Sequence, residues 1–306
     1  MEIDRQRIQD DLRGIVRGDV LCDAVSTTLY ATDASIYEIE SVGPGLIDDL
    51  SRYMRRMQIN SGDDTVRVQA GVTLAELNRQ LRPMRRWFGP DPATRSITTM
   101  GGVLAVNASG SHYLRSGSAR DNIDSLRVVT VDGECLELSR HHPNDPGTPG
   151  RLARGLTEIR NQYSSCIEGL NDAPPARSGF RFDEVFDRDG VVDLAKFLVG
   201  TQGTLATIVE ANVCTERMPT HRGVVIMFFH RLESAARSAV RSLEYGPVAC
   251  DLMGRRVLGI ARETDPQFER MLPREAEAML LLELQGESLN ELKDRIHILQ
   301  SELSRG

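Results

Sequence analysis

Between Phe88 and Gly133 the chain reads FGPDPATRSITTMGGVLAVNASGSHYLRSGSARDNIDSLRVVTVDG, and the placing of its small residues restricts the fold more than any other segment does. Gly101 and Gly102 follow a Thr-rich turn and open a short apolar stretch, Val103 to Val106. That spacing predicts a helix that begins where side chains are smallest, and the free amides at such a start attract phosphate. Asn107-Ala108-Ser109-Gly110 ends this helix, and an apolar strand from Leu126 to Val131 runs into an Asp132-Gly133 hairpin turn. Small residues and amides gather at one locus, as they must where a backbone closely approaches a bound cofactor.

The flanking segments supply the scaffold. A helix is expected over residues 4 to 14, and the spacing of Leu46, Leu50, Met54 and Met57 has the period of an amphipathic helix over 45 to 58. Thr65 to Ala70 alternates as a strand, and Thr73-Leu-Ala-Glu76 is a capping box for a helix that ends before Pro83. HHPNDPGTPG reads as an exposed loop within a domain, followed by a helix over roughly 151 to 170. A further apolar helix meets a strand from Leu205 to Val213 at Gly200-Thr-Gln-Gly203-Thr204. Beyond Gly223 the pattern becomes strand (224–229), helix (232–243), extended segment (247–252), strand (279–284) and helix (289–303), a small α+β sandwich.

Acidic residues outnumber basic ones by 44 to 37, and no basic block of the kind that neutralises phosphate backbones occurs, which argues against nucleic acid as a partner. No run of about 18 apolar residues is present, so no membrane span is expected and the protein reads as cytoplasmic. Cys22, Cys135, Cys166, Cys214 and Cys250 lack the paired spacing of metal or cluster ligands and read as reduced, buried thiols.

Several ordered blocks resemble the flavin-linked D-lactate dehydrogenase and glycolate oxidase catalytic-subunit family: YATDASIYEIE, VRVQAGVTLAELNRQL, FGPDPATRSITTMGGVLAVNASG, RDNIDSLRVVTVDG, RSGF and DLAKFLVGTQGTLATIVEANV. The resemblance implies an α+β fold with a two-subdomain FAD-binding domain of the p-cresol methylhydroxylase (PCMH) type over residues 1–220. Part of a ferredoxin-like substrate cap would follow over 221–306. It implies FAD contacts at Pro90, Asp91 and Pro92 beside the flavin, at Thr99, Gly101 and Gly102, and at Asn107, Ser109 and Gly110. The adenine end would rest near Asp121 and Ile123 and against the strand after Gly203-Thr204. The implied activity is hydride transfer from a small 2-hydroxy acid to the flavin, with an iron-sulfur subunit as a possible electron-accepting partner.

The chain departs from the family pattern in three places. Ala206 stands where members carry glycine after Gly-Thr-Leu. Glu40 runs almost directly into Gly43-Pro44-Gly45, where members insert a βαβ unit of about 30 residues and a glycine-rich pyrophosphate loop; members place a segment like GLIDDLSRYM partly on a strand, which leaves the type of the segment from 45 open between helix and strand. The cap stops at Gly306, before the family's late His-rich and acidic substrate set. No residue here is therefore assigned to catalysis or to a metal, and a non-catalytic remnant, or a subunit completed by a partner chain, stands as the alternative.

The remaining polar residues have plainer readings. His112 could serve as a base or anchor near the flavin, although a loop histidine of this kind is more often solvated or structural. His141 and His142 sit in a Pro/Gly loop without ligand spacing, and Trp87 and Phe88 are expected to pack under the flavin-side turn. Asp48 and Asp49, being adjacent, face apart and are read as solvated.

Overall fold

A computed structural model of the chain describes residues 50–59, 62, 64–168, 180–182 and 184–304. The expected helix over 4–14, the junction after Glu40, Cys22 and the Asp48-Asp49 pair lie outside the described residues. The chain divides into two compact units, Met1–Met54 and Arg55–Gly306. In the first, residues 50–53 form a turn, and Met54 N donates to Leu50 O at 3.1 Å.

The second unit begins with β1 (Met57–Ile59), β2 (Thr65–Gln69), α1 (Leu74–Leu81), β3 (Arg86–Trp87), α2 (Met100–Ala105) and α3 (Tyr113–Ser116). There follow β4 (Ile123–Thr130), β5 (Cys135–Leu138), β6 (Arg140–His141), α4 (Gly147–Gln162), α5 (Ser164–Glu168), β7 (Val192–Asp193) and α6 (Leu194–Leu198). The C-terminal part comprises β8 (Ala206–Cys214), β9 (Glu216–Arg217), β10 (His221–Phe229), α7 (Leu232–Ser242), β11 (Ala249–Gly254), α8 (Arg255–Thr264), α9 (Pro266–Met271), β12 (Ala278–Gly286) and α10 (Leu289–Ser304).

A five-stranded antiparallel sheet of order β1-β2-β8-β4-β5 carries the first core. Alternation buries Val66 and Val68 of β2, Leu126 and Val128 of β4, and Ala211 and Val213 of β8 against Leu74, Leu77 and Leu81 of α1 and Val103 and Leu104 of α2. Ala206 packs into this core at the start of β8, where its methyl group contributes apolar contact. The segment 45–58, whose type the sequence leaves open, is not helical in its described part: residues 50–53 form a turn and residues 57–59 pair with β2, Met57 opposite Val68. An open strand edge with unpaired backbone groups outweighs side-chain periodicity there.

A three-stranded antiparallel sheet of order β10-β12-β11 carries the second core. Strands β10 and β11, joined through α7, both run antiparallel to β12 between them, a split β-α-β arrangement. Leu280, Leu282 and Leu284 of β12 point to one face and pack with Val225, Leu292, Leu299 and Leu303. The opposite face carries Glu283 and Gln285, since neighbouring strand residues alternate sides.

Candidate functional site

Helix α2 is the hub of the predicted cofactor residues. Thr99 caps its start, the hydroxyl accepting from Gly102 N at 3.4 Å. The amides expected to be free for phosphate are engaged: Met100 N donates to Val72 O at 2.7 Å and Gly101 N to Ala70 O at 2.8 Å. A side-chain carbon at Gly101 would stand 3.0 Å from the Ala70 Cβ, so this glycine lets the helix abut the end of β2. The helix also begins one residue earlier than the glycines suggested, at Met100, whose side chain is fully buried.

At the other end of α2, Gly200 N and Gln202 N donate to Leu104 O and Ala105 O at 3.0 and 2.9 Å, which ties the turn after α6 to the end of the helix. Asn107 adopts a left-handed φ of 51°, and its side chain accepts from Arg120 N at 2.9 Å. Arg120, at 1% exposure, donates from Nε to Lys196 O at 3.1 Å and from Nη2 to Val199 O at 2.5 Å. Gly200, with φ of 89°, passes so close to that guanidinium that a Cβ would lie 2.8 Å from Nη2. Asn107, Gly200 and the carbonyls at the end of α6 thus meet around one buried arginine. Thr99, Gly101 and Gly102 stand a helix length away, about 9 Å for six residues.

The other predicted residues fall into two places. Asp121 Oδ2 accepts from Ser118 N at 2.7 Å and Ser118 Oγ at 2.8 Å, so its carboxylate closes the 3-10 turn over Ala119–Asn122. Asp91 grips the loop after Ser109: its Oδ1 accepts from His112 N at 3.3 Å, and Gly110 lies so close that any side chain there would overlap the Asp91 carboxylate and carbonyl. Pro90 is buried and Pro92 half-buried on either side of it.

His112 is the residue whose importance the sequence least conveyed. It is buried, and its Nδ1 lies 2.6 Å from Asp91 Oδ2 while Nε2 lies 3.3 Å from Glu283 Oε2 on β12. Arg222 of β10 pairs with Glu283 Oε1 at 3.1 Å, and Gln285 Nε2 donates to the same oxygen at 2.9 Å. The Trp87 ring meets His112 edge-on at 5.4 Å and carries the Arg222 guanidinium over its face at 5.2 Å. Arg115 of α3 bonds to Gln285 and pairs with Glu216 at 3.2 Å. The bond to Asp91, then that to Glu283, pushes the His112 imidazole up to about 9 against the opposing effect of burial. Burial raises the Glu283 carboxyl, but the bonds from His112 and Gln285 and the charge of Arg222 outweigh it and hold the group below its ordinary value. One sequence signal existed: in Leu-Leu-Leu-Glu-Leu-Gln-Gly the polar residues fall on alternate positions, marking one face of β12 as polar.

The cysteine expectation needs correction. Cys135 and Cys166 are exposed and Cys214 and Cys250 half-buried, Cys250 lying against the second core opposite Leu282. Of the loop histidines, His141 Nδ1 lies 3.4 Å from Asp145 Oδ2, a contact within the loop itself. No helix among the described residues is long and apolar enough to cross a membrane.

The surface around α2 suits an extended cofactor with apolar rings. Ile97, Val106 and Leu205 are all exposed beside the small residues, and a Cβ at Gly203 would meet nothing within 4 Å. Open backbone flanked by exposed apolar side chains is what a nucleotide with a fused-ring system needs on a protein surface. Residues 27–139 match the family described as FAD binding domain, and residues 218–306 the C-terminal domain of FAD linked oxidases. The chain belongs to the FAD-linked oxidase family and carries its FAD-binding domain. It is 32% identical over 234 residues to D-2-hydroxyglutarate dehydrogenase of Pantoea ananatis, covering 73% of this chain and 23% of that protein. It is 24% identical over 242 residues to glycolate oxidase subunit GlcD of Escherichia coli, covering 79% and 40%. The chain therefore spans less than half the length of these relatives. Among solved structures, alkyldihydroxyacetonephosphate synthase superposes with a TM-score of 0.58 at 19% identity, over 84% of this chain and 41% of that one, which establishes the PCMH-type fold.

Proposed function

We propose that this chain holds FAD across the two ends of α2 and serves an oxidoreductase that removes hydride from C2 of a small 2-hydroxy acid. The observation that carries the reading is the pairing of the two family matches with the exposed Ile97, Val106 and Leu205 around open glycine backbone. When bound, FAD supplies the two-electron acceptor for such a reaction. Thr99, Gly101, Gly102, Asn107, Ser109, Gly110, Gly203 and Thr204 would line its extended part, Asp121 and Ile123 the adenine end, and Pro90, Asp91 and Pro92 the flavin side. Residues 1–220 would form the flavin domain and 221–306 cap material.

The fixed groups at these positions act mainly by holding backbone. Arg120 and Asn107 set the loops at one end of α2, while Asp91 sets the loop after Ser109. The relatives' names, D-2-hydroxyglutarate dehydrogenase, glycolate oxidase subunit and D-lactate dehydrogenase, favour the oxidoreductase over the non-catalytic alternative and support a 2-hydroxy acid as its substrate. The description of one relative as a subunit supports a complex here too, with an iron-sulfur protein as a suitable electron acceptor.

The test is flavin retention. Protein incubated with excess FAD and desalted is expected to keep the visible flavin bands, and anaerobic D-2-hydroxyglutarate, glycolate or D-lactate is expected to bleach them. A colourless protein after desalting sinks the cofactor assignment for the isolated chain; a flavin-loaded protein that none of the three acids bleaches sinks the substrate class.

A further inference from the structure

His112 stands between two carboxylates that belong to different sheets' surroundings: Asp91 in the loop before α2 and Glu283 in the middle strand of the β10-β12-β11 sheet. A carboxylate only accepts, so a ring that satisfies both must donate from both nitrogens, and only the imidazolium carries two N–H groups. We propose that His112, as an imidazolium, is the positioning residue that locks the β10-β12-β11 sheet onto the Pro90-Asp91-Pro92 loop. The sheet's approach to the flavin domain is then set by one proton. The proposal deepens the function above and rests on its reading that residues 90–92 flank the flavin. The lock itself is a property of the protein alone.

The surrounding charges act on this ring in both senses. Arg222 of β10 pairs with Glu283 Oε1 at 3.1 Å, and its Nη2 stands 3.5 Å from His112 Nε2, a like charge that the two carboxylates together outweigh. Arg115 of α3 and Glu216 of β9 form a neighbouring pair, with Arg115 reaching Gln285 of β12. On β11, Asp251 lies opposite Leu281 and so on the same sheet face as Glu283. Trp87 of β3 packs against the imidazole in an edge-to-face contact at 5.4 Å, and His112 as a whole is buried. Losing the proton would leave the Glu283 carboxylate facing the Nε2 lone pair, with the 3.5 Å contact to Arg222 Nη2 in place of the direct bond across the two segments. The sheet and the loop would then part together. The raised His112 affinity for its proton places this release well above neutrality.

The experiment is hydrogen exchange on the full chain from pH 6 to 10, with protection corrected for the intrinsic rate and read in peptides covering 88–92 and 278–286. The wild type is expected to lose protection in both segments together as pH rises through about 9, by at least tenfold, while α10 stays protected. His112→Gln, which bonds but cannot carry the charge, should show the lower protection at every pH, and His230→Gln, at an exposed position, should titrate like the wild type. Should His112→Gln fail to fold, Glu283→Gln keeps the pair with Asp91 and should move the loss to lower pH. Independent responses of the two segments, or unchanged titration in both variants, would overturn the lock. Flavin retention measured on the same samples separates the two ideas: a concerted titration in protein that binds no FAD upholds the lock and removes the cofactor reading, and retained flavin with uncoupled segments does the reverse.

Discussion

Gly110 and Arg120 show how single residues build the surface around α2. A methyl group at Gly110 would overlap Asp91, so Gly110→Ala forces apart the loop that carries His112. A loss of about 1–3 kcal/mol is expected, as for other overpacked sites, and urea denaturation would reveal it as a lowered midpoint. Arg120 is a buried cation whose main partners are carbonyls at the end of α6. Arg120→Met fills the volume but leaves Lys196 O and Val199 O without donors, which should cost about 3 kcal/mol and weaken FAD retention. Neither role was visible in the sequence, where Arg120 reads as an ordinary charged residue before Asp121. Its burial follows from the Gly200 turn folding back over it, a contact between residues 80 apart in the chain.

The elements themselves were largely legible where local chemistry decides. Thr73 caps α1 by accepting from Glu76 N at 3.3 Å, as the Thr-x-x-Glu pattern implied. The reciprocal half of the capping box is absent, because Glu76 pairs with Arg55 at 2.5 Å. Thr73→Ala is therefore expected to lower stability by about 1 kcal/mol and leave flavin affinity unchanged, measurable by paired urea and flavin titrations. The strands at 65–69, 123–130 and 206–214 and the split β-α-β unit likewise follow patterns of period 2 and 3.6. Helices α8 and α9 were missed, although Val257, Leu258 and Ala261 have helical spacing in Arg255–Thr264; only Leu258 of that helix is buried. The two-stranded pairs β3-β9 and β6-β7 were missed as well, because each joins distant segments too short to show a period.

At the scale of the whole molecule, the contact between the two sheets' surroundings makes stability depend on pH in two opposite senses. The folded state holds the His112 proton more tightly than the unfolded chain, so its contribution is complete below about 6.5 and is lost as pH rises through about 9. The folded Glu283 is a stronger acid than its ordinary 4.5, so its contribution is present above that value and is lost as pH falls through the depressed one. Thermal unfolding should give a Tm plateau between about pH 4.5 and 6.5, with a decline on the acid side and another from neutral pH through about 9. The difference between wild type and Glu283→Gln is expected to shrink on the acid side, and a difference that grows there would contradict the assignment.

The sequence by itself determined the family, the small-residue locus and the order of the longer strands and of most helices, because glycine spacing, capping and side-chain periodicity act over a few residues. Tertiary structure decided what the amides at α2 bond to, which charges are buried, and that His112 meets Glu283. Those outcomes depend on which distant segments share a surface: the β2 terminus takes the Met100 and Gly101 amides, and β12 brings a carboxylate to a loop 170 residues earlier. No local pattern carries that information, since pairing across such separations is settled by the burial of two whole cores at once.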